Sequence, residues 1–158
     1  LRVTHNDTKS NNVLIDQETD EAICVIDLDT VMPGSSLYDF GDAVRFGASA
    51  AAEDEEDLSK IGLDMEKYRL FTEGFLRETN GFLTEKEIGL LPLGVKVITC
   101  ELAMRFLTDY IDGDRYFKVN SPTHNLARAH AQMKLLTDIE VKEEEMYRVL
   151  MEIIREGT

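Results

Sequence analysis

Apolar positions recur along this chain with two different periods. Near the start, two short β-branched runs, Asn12-Val13-Leu14-Ile15-Asp16 and Ala22-Ile23-Cys24-Val25-Ile26, flank the polar stretch Gln17-Glu18-Thr19-Asp20. Branched side chains suit a pleated strand, and a polar turn between two such runs predicts a β-hairpin. From Tyr38 onward the period becomes helical. Leu37 to Phe46 leads into small residues and then the acidic run Glu53-Asp54-Glu55-Glu56-Asp57, which reads as a solvated loop. Asp64 predicts the cap of a helix reaching about Glu78, with Tyr68, Phe71, Phe75 and Leu76 on its apolar face. Thr84-Glu85-Lys86-Glu87 has capping-box spacing, and the helix it opens should break or kink at Pro92. A further stretch to about Ile111 puts Val95, Ile98, Leu102 and Phe106 on one side, and Gly113 ends it. Ser121-Pro122 predicts another helix start, with the stripe Leu126, Ala129, Met133 and Leu136. A separate last helix carries Met146, Val149, Leu150, Ile153 and Ile154. No internal repeat or low-complexity linker interrupts the pattern. The expected fold is mainly α with a small β-hairpin, an α+β unit.

Composition narrows the partners. The chain has 158 residues, 43% of them apolar and 30% charged, which is an ordinary globular balance with enough length for a core. Its net charge of −14, from 31 acids and 17 bases, argues against nucleic acid and against adsorption to an anionic membrane. A nucleotide remains compatible, because magnesium offsets phosphate charge locally. Cys24 and Cys100 form no Cys-x-x-Cys pair and no ligand cluster with the three histidines, so the expectation is two buried thiols in a reducing compartment. No run reaches the length of a membrane span and no signal peptide is visible, which predicts a cytoplasmic protein.

The chemistry concentrates near the start. Val3-Thr4-His5-Asn6-Asp7-Thr8-Lys9-Ser10-Asn11-Asn12 contains a His-x-Asp with an Asn five residues after the Asp, and Ile26-Asp27-Leu28-Asp29 follows at the end of the second apolar run. Phosphoryl transfer from a nucleotide needs one carboxylate to hold the acceptor hydroxyl and oxygen ligands to hold magnesium. Kinase catalytic loops place the base and one ligand five residues apart. Asp7 and Asn12 keep that spacing, whereas Asn11 does not. Asp7 is therefore the candidate base, and Asn12 and Asp27 are the candidate magnesium ligands; the hairpin would return Asp27 to the side of Asn12. His5 is read as a hydrogen-bonding residue that fixes the loop. Lys9 is either a contact to the transferred phosphoryl group or a solvent-facing loop lysine. Asp29 either touches a second ion or the acceptor, or caps the next turn. Asp39 and Asp42, in Tyr38-Asp39-Phe40-Gly41-Asp42, are read as structural: helix caps, with Asp39 also placed to bond back to the loop.

These residues resemble a known group. His5-x-Asp7-x-x-x-x-Asn12, then Ile26-Asp27-x-Asp29, then Tyr38-Asp39-Phe40-Gly41-Asp42 is similar to the C-terminal lobe of the aminoglycoside phosphotransferase and choline kinase-like superfamily, a protein kinase-like fold. Within it, Thr4-His5-Asn6-Asp7-Thr8-Lys9-x-Asn11-Asn12 and Val25 to Gly34 most resemble the N-acetylhexosamine 1-kinases, and the similarity continues through Glu101 to Tyr110, Asp114 to Phe117 and His124 to Ala129. The resemblance implies ATP as phosphoryl donor, magnesium as cofactor, and the anomeric hydroxyl of an N-acetylhexosamine as acceptor: a sugar kinase. It also implies Asp7 as base, Asn12 and Asp27 as metal ligands, and Arg105 and Tyr116 in the sugar pocket. Read without it, Arg105 is equally an arginine paired with a nearby acid and Tyr116 a core tyrosine. Asn6 stands where aminoglycoside enzymes usually have Gly, and Leu28-Asp29 replaces the Phe-Gly of protein kinases.

The sequence contains no Gly-x-Gly-x-x-Gly and no strand lysine ahead of the loop. The expectation is that residues 1–158 form the C-terminal catalytic lobe of a longer enzyme, inactive without an N-terminal nucleotide lobe that this chain lacks. Two rivals stand beside the sugar kinase: a phosphotransferase for a cationic small molecule such as an aminoglycoside or choline, and a non-catalytic kinase-fold binding module. A sulfatase is excluded, because no Cys or Ser here sits in the Cys/Ser-x-Pro-x-Arg context of a formylglycine precursor.

Overall fold

A computed structural model describes residues 1–79 and 81–157. The first 34 residues form two separate two-stranded antiparallel sheets. In one, β1 (Arg2–Thr4) pairs with β4 (Met32–Gly34), with Thr4 opposite Met32. In the other, β2 (Val13–Ile15) and β3 (Ala22–Val25) form the expected hairpin, with Val13 opposite Val25. Asp16 leaves the strand and organises the turn instead: its Oδ1 accepts from the N–H groups of Glu18 (2.8 Å) and Thr19 (3.0 Å). Short 3₁₀ turns at Ser10–Asn12 and Leu28–Thr30 close the two loops that carry the candidate chemistry.

Among the described residues five α-helices follow, with a short 3₁₀ turn at Leu58–Lys60 between the first two. Helix α1 (Ser36–Gly47) starts with the Ser35 hydroxyl accepting from Leu37 N–H, so Asp39 lies inside the first turn and is not the cap. Helix α2 (Met65–Glu78) is capped by Asp64 as the pattern predicts. Thr84 and Glu87 complete a capping box on α3 (Glu85–Gly89), which ends before Pro92 occupies the first turn of α4 (Leu91–Ile111). Pro is tolerated there because the first helical N–H groups have no intrahelical partner. Helices α1 and α4 cross with backbones almost touching. A Cβ on Gly41 would lie 2.5 Å from the Gly94 carbonyl oxygen, and one on Gly94 would collide with the Leu37 carbonyl. Hydrogen side chains at both positions permit that approach.

One element differs from expectation. The two helices anticipated after Ser121 are one, α5 (His124–Glu156), of 33 residues. Ser121–Thr123 is a turn rather than a cap, with His124 N–H donating to Ser121 O at 3.2 Å. The middle of α5 carries acids and bases but no Gly or Pro, so nothing stops it. It is also held there: Asp138 accepts from Leu63 N–H and from Lys142 Nζ, each at 2.7 Å, and Lys142 Nζ donates to Leu63 O at 2.7 Å. The buried stripe is accordingly Ala129, Ala131, Leu135 and Ile139, and Met133 faces solvent. The core joins Phe40 and Val44 of α1, Tyr68 of α2, Leu91 and Val95 of α4, and Leu135, Ile139, Met146, Leu150 and Ile153 of α5. The architecture is mainly α with small antiparallel sheets, the expected class. Cys24 is exposed and Cys100 half-buried, correcting the reading of both as buried thiols. The β2–β3 ribbon has no second layer over it, so its apolar run stays open. Among the described residues no helix is long and apolar enough to cross a membrane.

Candidate active site

The loop between β1 and β2 is set by hydrogen bonds. Asn6 has φ 64°, a left-handed conformation that Asn tolerates better than most residues. Its side chain adds what Gly lacks: Nδ2 donates to Thr30 O at 2.9 Å and Oδ1 accepts from the Thr4 hydroxyl at 2.9 Å. From the other side, the Asp39 carboxylate of α1 accepts from the N–H groups of His5 and Asn6, each at 2.8 Å, and the Thr8 hydroxyl donates to Asp39 O at 2.5 Å. Asp39 thus bonds back to the loop as anticipated. His5 Nδ1 accepts from Asp7 N–H at 3.3 Å, which leaves Nε2–H to donate to Ile26 O at 3.0 Å. His5 is a brace between the two loops.

Within this frame Asp7 Oδ2 is held twice, by Lys9 Nζ at 2.8 Å and by Asn12 Nδ2 at 2.9 Å. Asn12 Nδ2 also donates to Asp7 O at 2.8 Å. Among the described residues Asp7 Oδ1 accepts nothing, so one carboxylate oxygen is anchored and the other is open. Asn12 is only 6% exposed. Its amide faces Asp7 through nitrogen, so Oδ1 is turned away and makes no hydrogen bond among the described residues. Ile26 N–H donates to Asn12 O at 2.9 Å, which sets the next residue, Asp27, beside it. Asp27 has φ 62°, and its carboxylate is exposed with no hydrogen-bond partner among the described residues. Asn12 and Asp27 therefore offer uncommitted hard oxygens, the donor type magnesium prefers alongside phosphate and water. The described residues contain no cluster of three His, Cys, Asp or Glu able to cage a metal without such help.

A cavity of about 680 Å³ opens next to Asp7. Asp7 and Lys9 line it from the loop, and Arg105, Phe106, Tyr116, Phe117 and Arg128 line it from α4, the loop after it and α5. Four of the sequence-nominated residues, Asp7, Lys9, Arg105 and Tyr116, thus share one space. Asn12, Asp27 and Asp29 are outside its lining, and Asp29 is an exposed member of the Leu28–Thr30 turn. Tyr116 is 74% exposed, so it is not a core residue. Arg105 reaches Glu101 only at 3.7 Å and lies 5.5 Å from the Tyr116 ring centre and 5.4 Å from that of Phe117.

Several residues that shape the cavity escape sequence reasoning. Asp109 accepts from the N–H groups of Arg115, Tyr116 and Phe117 (2.8–2.9 Å) and from Asn125 Nδ2 (2.8 Å). That carboxylate moulds the loop presenting Tyr116. Burial raises its pKa, but the donated N–H bonds outweigh this and hold it below the ordinary carboxylate value. One signal was available: an acid in the last turn of a helix opposes the macrodipole and needs donors from elsewhere. Arg45 is buried, and both its Nε and Nη2 donate to Asp42 while Nη1 donates to Glu53 at 2.8 Å. Burial opposes its charge, but the two carboxylates prevail and its pKa is raised.

Residues 1–71, which contain the loop, both candidate ligands and α1, match the model of the phosphotransferase enzyme family (APH). The match covers 71 of the chain's 158 residues; it supports the aminoglycoside phosphotransferase and choline kinase-like superfamily and, in general, a kinase-type enzyme.

Proposed function

We propose that the chain is the C-terminal catalytic lobe of an ATP- and magnesium-dependent sugar kinase whose acceptor hydroxyl, the anomeric one of an N-acetylhexosamine, enters the cavity beside Asp7. The carrying observation is the asymmetry of the Asp7 carboxylate. Oδ2 is pinned by Lys9 and Asn12, and Oδ1 is unclaimed among the described residues and belongs to a residue lining the cavity. Pinning one oxygen fixes the orientation of the other, which suits a group that must accept a hydroxyl proton in one geometry. The hydroxyl oxygen then bonds to the γ-phosphorus, the bond from that phosphorus to the β-bridging oxygen breaks, and ADP leaves. Lys9 Nζ stands next to the base and offsets negative charge on the transferred group. Asn12 and Asp27 would hold magnesium, which supplies neutralising charge to the nucleotide's phosphates.

The far wall supports a neutral acceptor over a cationic one. Arg105, Lys118 and Arg128 lie there against one acid, Glu101, 3.7 Å from Arg105, while Asp42 and Glu53 on the lining are already bonded to Arg45. Tyr116 and Phe117 offer faces for a pyranose ring. The nucleotide would be completed by an N-terminal lobe supplying the Gly-rich loop and lysine. In the full-length enzyme, Asp7→Asn should lower kcat by about 10²–10⁴-fold while circular dichroism and the thermal midpoint stay near wild type. Wild-type-like turnover in that variant removes the mechanism. A phosphorylation screen of hexosamines against choline and aminoglycosides tests the acceptor.

A further inference from the structure

Among the described residues, arginines withdrawn from water have carboxylate partners, with one exception. Arg2 makes a two-pronged bond to Glu87 (2.7 and 2.8 Å), Arg45 bonds Asp42 and Glu53, and Arg69 bonds Glu73 and Glu152. Among the described residues Arg128, half-buried on α5, makes hydrogen bonds only to neutral groups. Its Nη1 donates to Lys118 O at 3.2 Å and to Asn125 Oδ1 at 3.3 Å, and its Cζ lies 5.4 Å from the centre of the Phe106 ring. Its Nε is shielded from solvent and unpartnered, and Nη2 makes no hydrogen bond among the described residues. A half-buried guanidinium without an anion is costly unless something supplies one. Here the side chain lines the cavity that also holds Asp7.

Its placement is not accidental slack. Asn125, fully buried, bonds Arg128 through Oδ1 and reaches Asp109 and Asp114 through Nδ2 at 2.8 and 2.9 Å. Asp109 in turn fixes the backbone of Tyr116 and Phe117. Phe106 and Phe117 pack at a tilt with centres 4.6 Å apart, Arg128 lying over the first and Arg105 over the second. One buried amide therefore registers the aromatic wall and the second arginine together.

We infer that Arg128 is a specificity-determining residue of the acceptor pocket, donating from its guanidinium to a carbonyl-type oxygen on a substituent of the acceptor. This rests on the reading of the cavity as the acceptor site. An amide carbonyl and a carboxylate share that chemistry; an ammonium is repelled, and a plain hydroxyl gains little from a cation.

The test is titration calorimetry of the full-length protein with an N-acetylhexosamine, a hexuronic acid, the free hexosamine and the plain hexose. The two carbonyl-bearing sugars should bind at least about tenfold tighter than the other two, and whichever of them leads identifies the source of the oxygen. Arg128→Gln should weaken the carbonyl-bearing sugars about 10–100-fold and erase the preference, and Arg128→Lys should restore part of it. A wild type that binds all four sugars without preference overturns the inference, with no variant needed. An equal loss on all four in a folded Arg128→Gln protein overturns it too, leaving the sugar-kinase reading in place. A wild type that binds and phosphorylates none of them overturns both.

Discussion

The segment that carries the candidate site residues and the body that supports it are stabilised by different physics. In residues 1–35 the only buried side chains are Thr4 and Asn12, both polar. That region holds its shape through side-chain to backbone hydrogen bonds: Asp39 to His5 and Asn6, Thr30 to His5, Asn6 to Thr30. From α1 onward the large fully buried residues are Tyr68, Phe40, Phe106, Leu91 and their neighbours, and packing dominates. Directional bonds fix atoms to a few tenths of an ångström at modest net stability, whereas burial gives stability with little directional demand. A catalytic loop needs the first and a scaffold the second.

That contrast can be broken by substitution. In the helical body, Phe40→Ala should cost about 3–5 kcal/mol of unfolding free energy in denaturant titration, because its ring packs against Tyr68 and Phe75 and leaves a cavity. Stability unchanged within about 1 kcal/mol would deny the core assignment. In the loop, Asp39→Ala should lower kcat of the full-length enzyme roughly 10–100-fold by freeing two N–H groups, with a smaller effect on melting than Phe40→Ala. A large stability loss with intact kcat would reverse the contrast. The gentlest probe is acid. Asp138 is pushed up by burial but pulled further down by Lys142 and the Leu63 N–H, so its pKa, like that of Asp109, lies below the unfolded value. Both groups add stability above the unfolded carboxylate pKa of about 3.9, and lose it as pH falls toward their folded values. Unfolding free energy should therefore decline below about pH 4, and Asp109→Asn should flatten part of that decline. An unaltered slope would remove Asp109 from the accounting.

Much of the body was legible because local signals agree with the fold. The Asp64 cap, the Thr84–Glu87 box and the break at Pro92 are all short-range effects, and each stands where the pattern put it. The pattern divides α5 in two because the charged residues Asp138, Lys142 and Glu143 interrupt its apolar stripe, whereas Asp138 and Lys142 bond Leu63 and Glu143 bonds Lys96 in the folded chain. Cys24 departs from expectation for the opposite reason: an apolar run is buried only when a second layer covers it.

The same division runs through the site. The five-residue interval from Asp7 to Asn12 lies within one loop, where the chain itself limits how far two side chains can part, and their amide–carboxylate bond follows from it. The cavity's far wall comes from α4, the loop after it and α5, roughly a hundred residues downstream. No local preference specifies that approach. It exists because α1 and α4 meet at Gly41 and Gly94 and because Asp109 and Asn125 lock the intervening loop. Residue identity and near-neighbour spacing decided which groups can do chemistry. Only long-range packing decided which of them, Arg128 above all, face the same space.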